Sequence, residues 1–410
     1  MWRSSNSLWW IPAFCIACSG GSDASSAGGG EPTGGGPTPG GCYPGEAEPC
    51  LCDSGLQSVR QCLGGDKFGA CECDPWGPGP GEFTGGDSAP PGVRLVELPA
   101  FDIQPDPTQD VLYITIGSPA AEHESSLVAL SADTGAILWA TQLGGRPSAL
   151  AIAADGSTAY TGTRENPAIV KVSLGTHAEA ARYPIPPLGS EPLYAYDMDV
   201  VPGNANRFIV VYSTSPGYSS QGEARLIENG VTLGQPTPWY VSADEIAIQD
   251  ATTAYGLDTT STAATLVTLG ISSSGLSIVK QTSDAVDDFT SRLAFDGQWL
   301  IVNSGQVIDP GSQSLVGTYA LSGHRVSNRS TDRVYVAGVD EASRDLTLTV
   351  FDRDGFSELG KVTLKGIEGA PLRMVQSKGG TLGLIFDSQG RGLEPDRQVV
   401  LVSPMVFGSL

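Results

Sequence analysis

Short apolar runs joined by tight turns make up the chain from residue 93 onward. In "LVALSADTGAILWATQLGGRPSALAIAADGSTAYTG", residues 127–162, two apolar runs flank a Thr-Gly turn, and two more flank an Asp-Gly turn. Runs of this length around such turns predict β-hairpins. Because no long helical pattern interrupts them, the sequence predicts an all-β protein.

The hairpins recur at a fixed spacing. In seven segments a short strand leads through a turn into a stronger strand, and two further strands follow, as in "ATLVTLGIS" and "GLSIVKQT". Equivalent positions in the seven lead-in strands are 47, 48, 48, 47, 33 and 48 residues apart. They are Ile103, Leu150, Met198, Ile246, Leu293, Val326 and Met374. Four strands per unit at this period predict a seven-bladed β-propeller.

The two ends of this region complement each other. The seventh unit has three clear strands and then ends at "MVFGSL", whereas "GVRLVELPA", residues 92–100, is a strand with no local partner. In a circular propeller the first strand can complete the last blade, which removes both free edges. We therefore predict that residues 93–99 close the propeller, which spans 93–410.

Composition separates the front of the chain from the propeller. The 410 residues include 53 Gly and 29 Pro and carry a formal charge of −22. Residues 18–41 are a Gly, Ser and Pro tether, and residues 74–92 form a second linker. Because clustered Lys and Arg are lacking, we expect no nucleic-acid partner. The acidic surface indicates a monomer that resists association.

Residues 1–17 have the pattern of a signal peptide. One positive charge at Arg3 precedes an apolar run from Leu8 to Ala17, which is too short to span a bilayer. The following "CIACSGGSD" resembles the lipobox of bacterial lipoproteins, although Cys15 stands where that family usually has Leu. The resemblance implies lipidation of Cys18 and export to the outer membrane or cell surface. The alternative is ordinary secretion with cleavage near Ala17.

Six cysteines lie within residues 42–73 and none follows them. An even number of cysteines in a short exported segment predicts three disulfides, whose pairing the sequence leaves open. Zinc is the competing interpretation, but the Cys-x-Cys spacing is too tight for a structural zinc site. The segment resembles short Cys-rich modules behind the lipobox of bacterial surface lipoproteins. Its cysteines are Cys42, Cys50, Cys52, Cys62, Cys71 and Cys73.

The repeating units resemble the YVTN-type seven-bladed propellers of surface and exported bacterial proteins. Residues 127–162 carry this resemblance most clearly, and it extends loosely over residues 93–405. Around Trp139 the same stretch is also similar to the tryptophan-docking motif of quinoprotein propellers. Since one unit alone has this motif, we expect no such cofactor, and no other cofactor is indicated.

The residues just before the seven equivalent positions predict a charged ring around the central channel. Acids stand on blades one, three and four, and bases on blades five, six and seven. They are Asp102, Asp197, Glu245, Arg292, Arg325 and Arg373, with Ala149 on blade two. Such a ring could hold a ligand that bears a carboxylate and a cationic or hydroxyl-rich part. Alternatively, the charges pair between blades and hold the propeller closed.

Evidence for catalysis is thin. Of three histidines, His324 alone lies near the predicted channel, which excludes nucleophilic triads and His or Cys metal sites. "FDRDG" at 351–355 lacks the further ligands of a calcium loop and predicts a turn on blade six. The acids of "SDAVDDF", 283–289, indicate a solvated loop. We therefore expect no metal site.

These observations favour a cell-envelope lipoprotein whose propeller presents a non-catalytic surface to a protein or a small molecule. The alternative is a propeller enzyme of the lactonase or lyase type. It would act through channel arginines and the carboxylates of Asp197, Asp199 and Glu245.

Overall fold

The structure is a computed structural model of the chain. It describes residues 47–51, 57–64, 67–68, 91–117, 120, 122–214, 223–238, 245–258, 264–286, 292–388 and 397–408. Near the front, β1 (Ala47–Leu51), β2 (Gln57–Gly64) and β3 (Lys67–Phe68) form a three-stranded antiparallel sheet. In the described part of the chain no helix is long and apolar enough to cross a membrane.

Strand β4 (Val93–Val96) opens the propeller, and four-stranded antiparallel blades follow it. Blade one contains β5 (Ala100–Pro105), β6 (Val111–Ile116), β7 (Ser126–Ser131) and β8 (Ile137–Gln142). Blade two contains β9 (Pro147–Ile152), β10 (Thr158–Thr163), β11 (Ala168–Ser173) and β12 (Ala178–Pro184). Blade three contains β13 (Tyr194–Val200), β14 (Arg207–Ser213), β15 (Glu223–Glu228) and β16 (Val231–Leu233).

The remaining blades repeat this order. Blade four contains β17 (Glu245–Ile248), β18 (Thr253–Asp258), β19 (Ala264–Ser272) and β20 (Gly275–Val286). Blade five contains β21 (Leu293–Phe295), β22 (Leu300–Val302), β23 (Gln306–Ile308) and β24 (Leu315–Thr318). Blade six contains β25 (His324–Asn328), β26 (Arg333–Val339), β27 (Asp345–Asp352) and β28 (Glu358–Glu368). Blade seven contains β29 (Ala370–Gln376), β30 (Leu382–Asp387) and β31 (Arg397–Val402).

The predicted closure is confirmed. The fourth strand of blade seven is β4, which runs antiparallel to β31 with Leu95 opposite Val400 and Val93 opposite Val402. Val93 is 3% exposed and belongs to a core shared by blades six and seven. The strand ends at Val96, three residues short of the predicted end. Pairing of β4 with β31 therefore joins the beginning of the propeller to its end.

The apolar core lies between neighbouring blades. One cluster joins Ile103 and Ile114 of blade one to Ile385 and Leu401 of blade seven. Because each blade is covered on both faces, its second strand is largely buried; in β30 all six residues are buried. The first strands contact one another around the axis, as β5 does with β9 and β29. The fold is thus an all-β, seven-bladed propeller with the predicted strands innermost.

Candidate functional site

A cavity of about 390 Å³ lies in the central channel. Its lining includes five of the six residues predicted to form the charged ring: Asp197, Glu245, Arg292, Arg325 and Arg373. The sixth, Asp102, is 3% exposed and is not part of the lining. The innermost strands thus gather the charged positions, as the repeat alignment implies, but the six do not form one uniform ring.

Asp102 fastens blade one to both of its neighbours. Its Oδ2 accepts the backbone N–H of Leu150 on blade two at 2.9 Å. Its Oδ1 accepts the N–H of Ile103 at 2.7 Å and lies 2.8 Å from Nε of Arg373 on blade seven. A register shift between Ala100 and Asp102 places the side chain in this position. The carboxylate is therefore a structural link between three blades.

Asp197 and Asp199 repeat the link from blade three to blade four. Asp197 accepts the N–H of Ile246 at 2.8 Å, and Asp199 accepts the N–H of Ile248 at 3.1 Å. Burial raises the pKa of Asp199 to about 7, and the charge of Asp197 raises it further, against two backbone hydrogen bonds that lower it. Burial also raises the pKa of Asp197, whereas Arg373 lowers it. Neither carboxyl forms an ion pair within the described part of the chain, and their partners there are backbone N–H groups.

Glu245 and Arg292 form the link from blade four to blade five. Their Oε2 and Nη1 atoms are 3.4 Å apart, which makes a loose ion pair. Burial raises the pKa of Glu245 to about 7, while Arg292 opposes this rise and Asp197 reinforces it. The Arg292 side chain is 37% exposed. Most of its guanidinium donors therefore remain available to a molecule in the channel.

Arg325 departs from the predicted ring because it pairs with none of the ring acids. Its guanidinium donates to the carbonyls of Asn303, Leu321 and Gly323 at 2.7, 2.9 and 3.3 Å and lies over the Tyr319 ring. No register shift occurs along β25, unlike β5, β13 and β29.

His324 and Asn303 add uncharged polar groups to the lining. Nδ2 of Asn303 lies 3.3 Å from Nδ1 of His324. Burial lowers the pKa of His324 to about 3, and the charges of Arg292, Arg373 and Arg325 lower it further. A neutral imidazole that accepts at Nδ1 carries its proton on Nε2 and is a donor there. The sequence signal that could have marked Asn303 is its position directly after the buried strand β22.

A second charged cluster, which no sequence pattern indicated, lies between blades five and six. Arg353 is 2.8 Å from Asp296, with side chains 3% and 4% exposed, and it lies 4.4 Å from the Trp299 ring. Ser327 of blade six also donates to Asp296, at 2.9 Å. These buried contacts fasten two blades together, and they lie apart from the residues that line the channel cavity.

The two acidic motifs outside the channel lie in a turn and, where the structure describes the second, on a strand. Asp352 ends β27, and its carboxylate accepts the N–H of Gly355, so "FDRDG" is the predicted turn. Asp284 lies on β20, whereas 287–288 fall outside the described residues. In the described part of the chain no group of three or more His, Cys, Asp or Glu is placed to hold a metal.

The predictions for the front of the chain lie largely outside the described residues. Those residues do not include Cys18 or the signal peptide and tether. Of the module, Cys50 and Cys62 lie on β1 and β2, where their backbone positions face Ser58 and Phe68. The three disulfides and the lipidation of Cys18 therefore stay predictions.

Comparison with known proteins extends to the fold and no further. No protein-family model matches the sequence, and no curated protein matches it. The solved WD40 β-propeller domain of Doa1 is 11% identical with a TM-score of 0.51, over 76% of this chain and 97% of that one. The β-propeller domain of Cps50 (Swd1) from Myceliophteria thermophila is 11% identical with a TM-score of 0.53, over 75% and 98%. The likeness is one of architecture alone.

Proposed function

We propose that the chain is an exported, lipid-anchored binding protein of the bacterial cell envelope, and that its propeller binds a ligand in the central channel without chemical turnover. The signal-peptide pattern, the lipobox-like "CIACSGG" and the Gly-rich tether support export and anchoring. The resemblance of residues 127–162 to YVTN-type propellers of surface proteins supports the same location.

The observation that carries the binding role is the pre-organised channel. Asp197 and Asp199, which line the cavity, are held by backbone N–H groups of the next blade, and Glu245 is held by Arg292. Polar groups that are already fixed lose little freedom when a ligand arrives, so binding there is favoured. The cavity of about 390 Å³ has the size of a small-molecule site.

Anchoring is tested by labelling the full chain with radioactive palmitate in a bacterium that processes lipoproteins. We expect label and membrane association for the wild type and for Cys15→Ala, and neither for Cys18→Ala, because Cys18 alone follows the small residue at the predicted cleavage point. The Cys15 variant is the matched control. Equal labelling of Cys18→Ala, or an unlabelled secreted protein, would contradict the anchor.

Binding is tested by a thermal-shift screen of the full chain against sugars, small carboxylates, amino acids, lactones and calcium. A ligand that binds only the folded protein raises the melting temperature by mass action. Each hit is then incubated with the protein and recovered. We expect it unchanged; conversion to a product would instead establish the lactonase- or lyase-type alternative.

A further inference from the structure

We propose that the channel ligand is a small zwitterion, held by its anionic group at the arginines of blades five and seven and by its cationic group at the acids of blades three and four. The inference deepens the proposed binding role and rests on it. Two features of one cavity carry it: a buried cation without a counter-charge, and two acids, Asp197 and Asp199, that form no ion pair within the described part of the chain.

The first feature is a buried cation that has no counter-charge. Arg325 is 8% exposed and lines the cavity, yet it forms no ion pair within the described part of the chain. Its partners are three neutral carbonyl oxygens, and its Nη1 makes no hydrogen bond. A buried cation without a counter-charge is unfavourable, so a nearby anion is stabilised by it.

The groups beside Arg325 supply the contacts for that anion. Arg292 and Arg373, on the flanking blades, have side chains 37% and 20% exposed, and each faces one carboxylate. His324 lines the same cavity, and its Nδ1 lies 3.3 Å from Nδ2 of Asn303; in the tautomer that accepts at Nδ1, its Nε2 is a donor. A carboxylate suits this set better than a phosphate dianion, because Glu245 would repel the second charge.

The second feature is that the acids of the cavity have few cations beside them. Asp197, Asp199 and Glu245 line the same cavity. Burial is the first cause of the raised pKa of each, and repulsion between neighbouring carboxylates contributes. An ammonium group placed between them would relieve both effects by supplying the charge that they lack. Their hydrogen bonds to the next strand keep the oxygens fixed for such a contact.

The dimensions point to an α-amino-acid-like molecule. Nη1 of Arg292 lies 3.4 Å from Oε2 of Glu245, so a basic and an acidic group of the lining lie close together. A ligand that joins them therefore has its charges only a few atoms apart. Ile152, Ile248, Phe295 and Val375 supply apolar lining, which fits an apolar side chain.

Calorimetric titration of the full chain with leucine, leucinamide and N-acetyl-leucine tests the inference. These probes are the zwitterion, its form without the carboxylate and its form without the ammonium. We expect leucine to bind and each derivative to bind at least about tenfold more weakly, since each loses a charge-assisted contact. Phenylalanine serves as the probe with a larger side chain.

Variants assign each charge to its side of the channel. Arg292→Gln should weaken leucine by about tenfold and leave leucinamide unchanged, whereas Asp197→Asn should weaken leucine and leave N-acetyl-leucine unchanged. Arg207→Gln is the matched control, because that arginine pairs with Glu228 away from the channel lining. It should bind leucine as the wild type does.

Flat titrations with leucine and phenylalanine at millimolar concentration, or equal affinities for leucine and its two derivatives, would overturn the zwitterion site. The binding role is a separate claim: a non-zwitterionic hit in the thermal-shift screen would keep it, whereas a screen without any hit would refute it too.

Discussion

Asp102→Ala is the sharpest test of the links between the inner strands. The substitution leaves the buried N–H groups of Leu150 and Ile103 without an acceptor and removes the partner 2.8 Å from Arg373. Each unsatisfied buried donor costs about 1–3 kcal/mol, and a broken buried ion pair about 3–5 kcal/mol. Since the arginine can turn toward water in the channel, we expect a loss of about 4 kcal/mol in the free energy of unfolding.

Thermal unfolding followed by circular dichroism measures this loss. For a domain of this size, about 0.6 kcal/mol corresponds to 1 °C, so the melting temperature should fall by about 6 °C. Asp155→Ala is the control: this exposed carboxylate accepts the N–H and O–H of Ser157, which water can solvate instead, and the change should cost below about 1 kcal/mol. Equal losses in the two variants would refute the structural role of Asp102.

Two further substitutions test the pH response and the closure. Because the pKa of Glu245 is raised to about 7, the folded protein holds this proton more tightly than the unfolded chain, and stability falls as pH rises from about 5 to 7. Glu245→Gln removes this pH-dependent loss. In urea titrations between pH 5 and 8, the free energy of unfolding of the variant should therefore rise relative to that of the wild type by up to about 3 kcal/mol. Parallel pH curves for the two proteins would contradict this. Val93→Asp places a charge in the core and should lower the free energy of unfolding by over about 3 kcal/mol. The control Val231→Asp, at a position that is 61% exposed, should change the melting temperature little. Equal effects of the two substitutions would refute closure by β4.

The fold was predictable because local sequence patterns show the repeat spacing. A tight turn between two apolar runs specifies a hairpin by itself, and seven such units fix the number of blades. The unpaired run at residues 93–96 and the missing fourth strand after Val402 identified the closure for the same reason. The end of β4 escaped prediction because the N–H of Leu98 bonds to the carbonyl of Val96 in a tight turn, which the sequence alone does not show.

The partners of the ring residues were less predictable because they depend on contacts between blades. Nothing in the sequence near Asp102 shows that it accepts an N–H from Leu150, 48 residues away. The hydrogen bonds of Arg325 to the carbonyls of Asn303 and Leu321 likewise depend on how the chain packs. The position of His324 beside the channel followed from the repeat alignment, but the position of Asn303 did not.

The central claim is that the inner strands hold a preformed site for a small ligand in the channel. The most direct measurement is the melting temperature of the full chain with and without leucine, for the wild type and Arg292→Gln side by side. We expect a rise that grows with leucine concentration in the wild type and is much smaller in the variant. An equal rise in both proteins would place the ligand outside the channel, and no rise with leucine or with any other compound of the thermal-shift screen would contradict the claim.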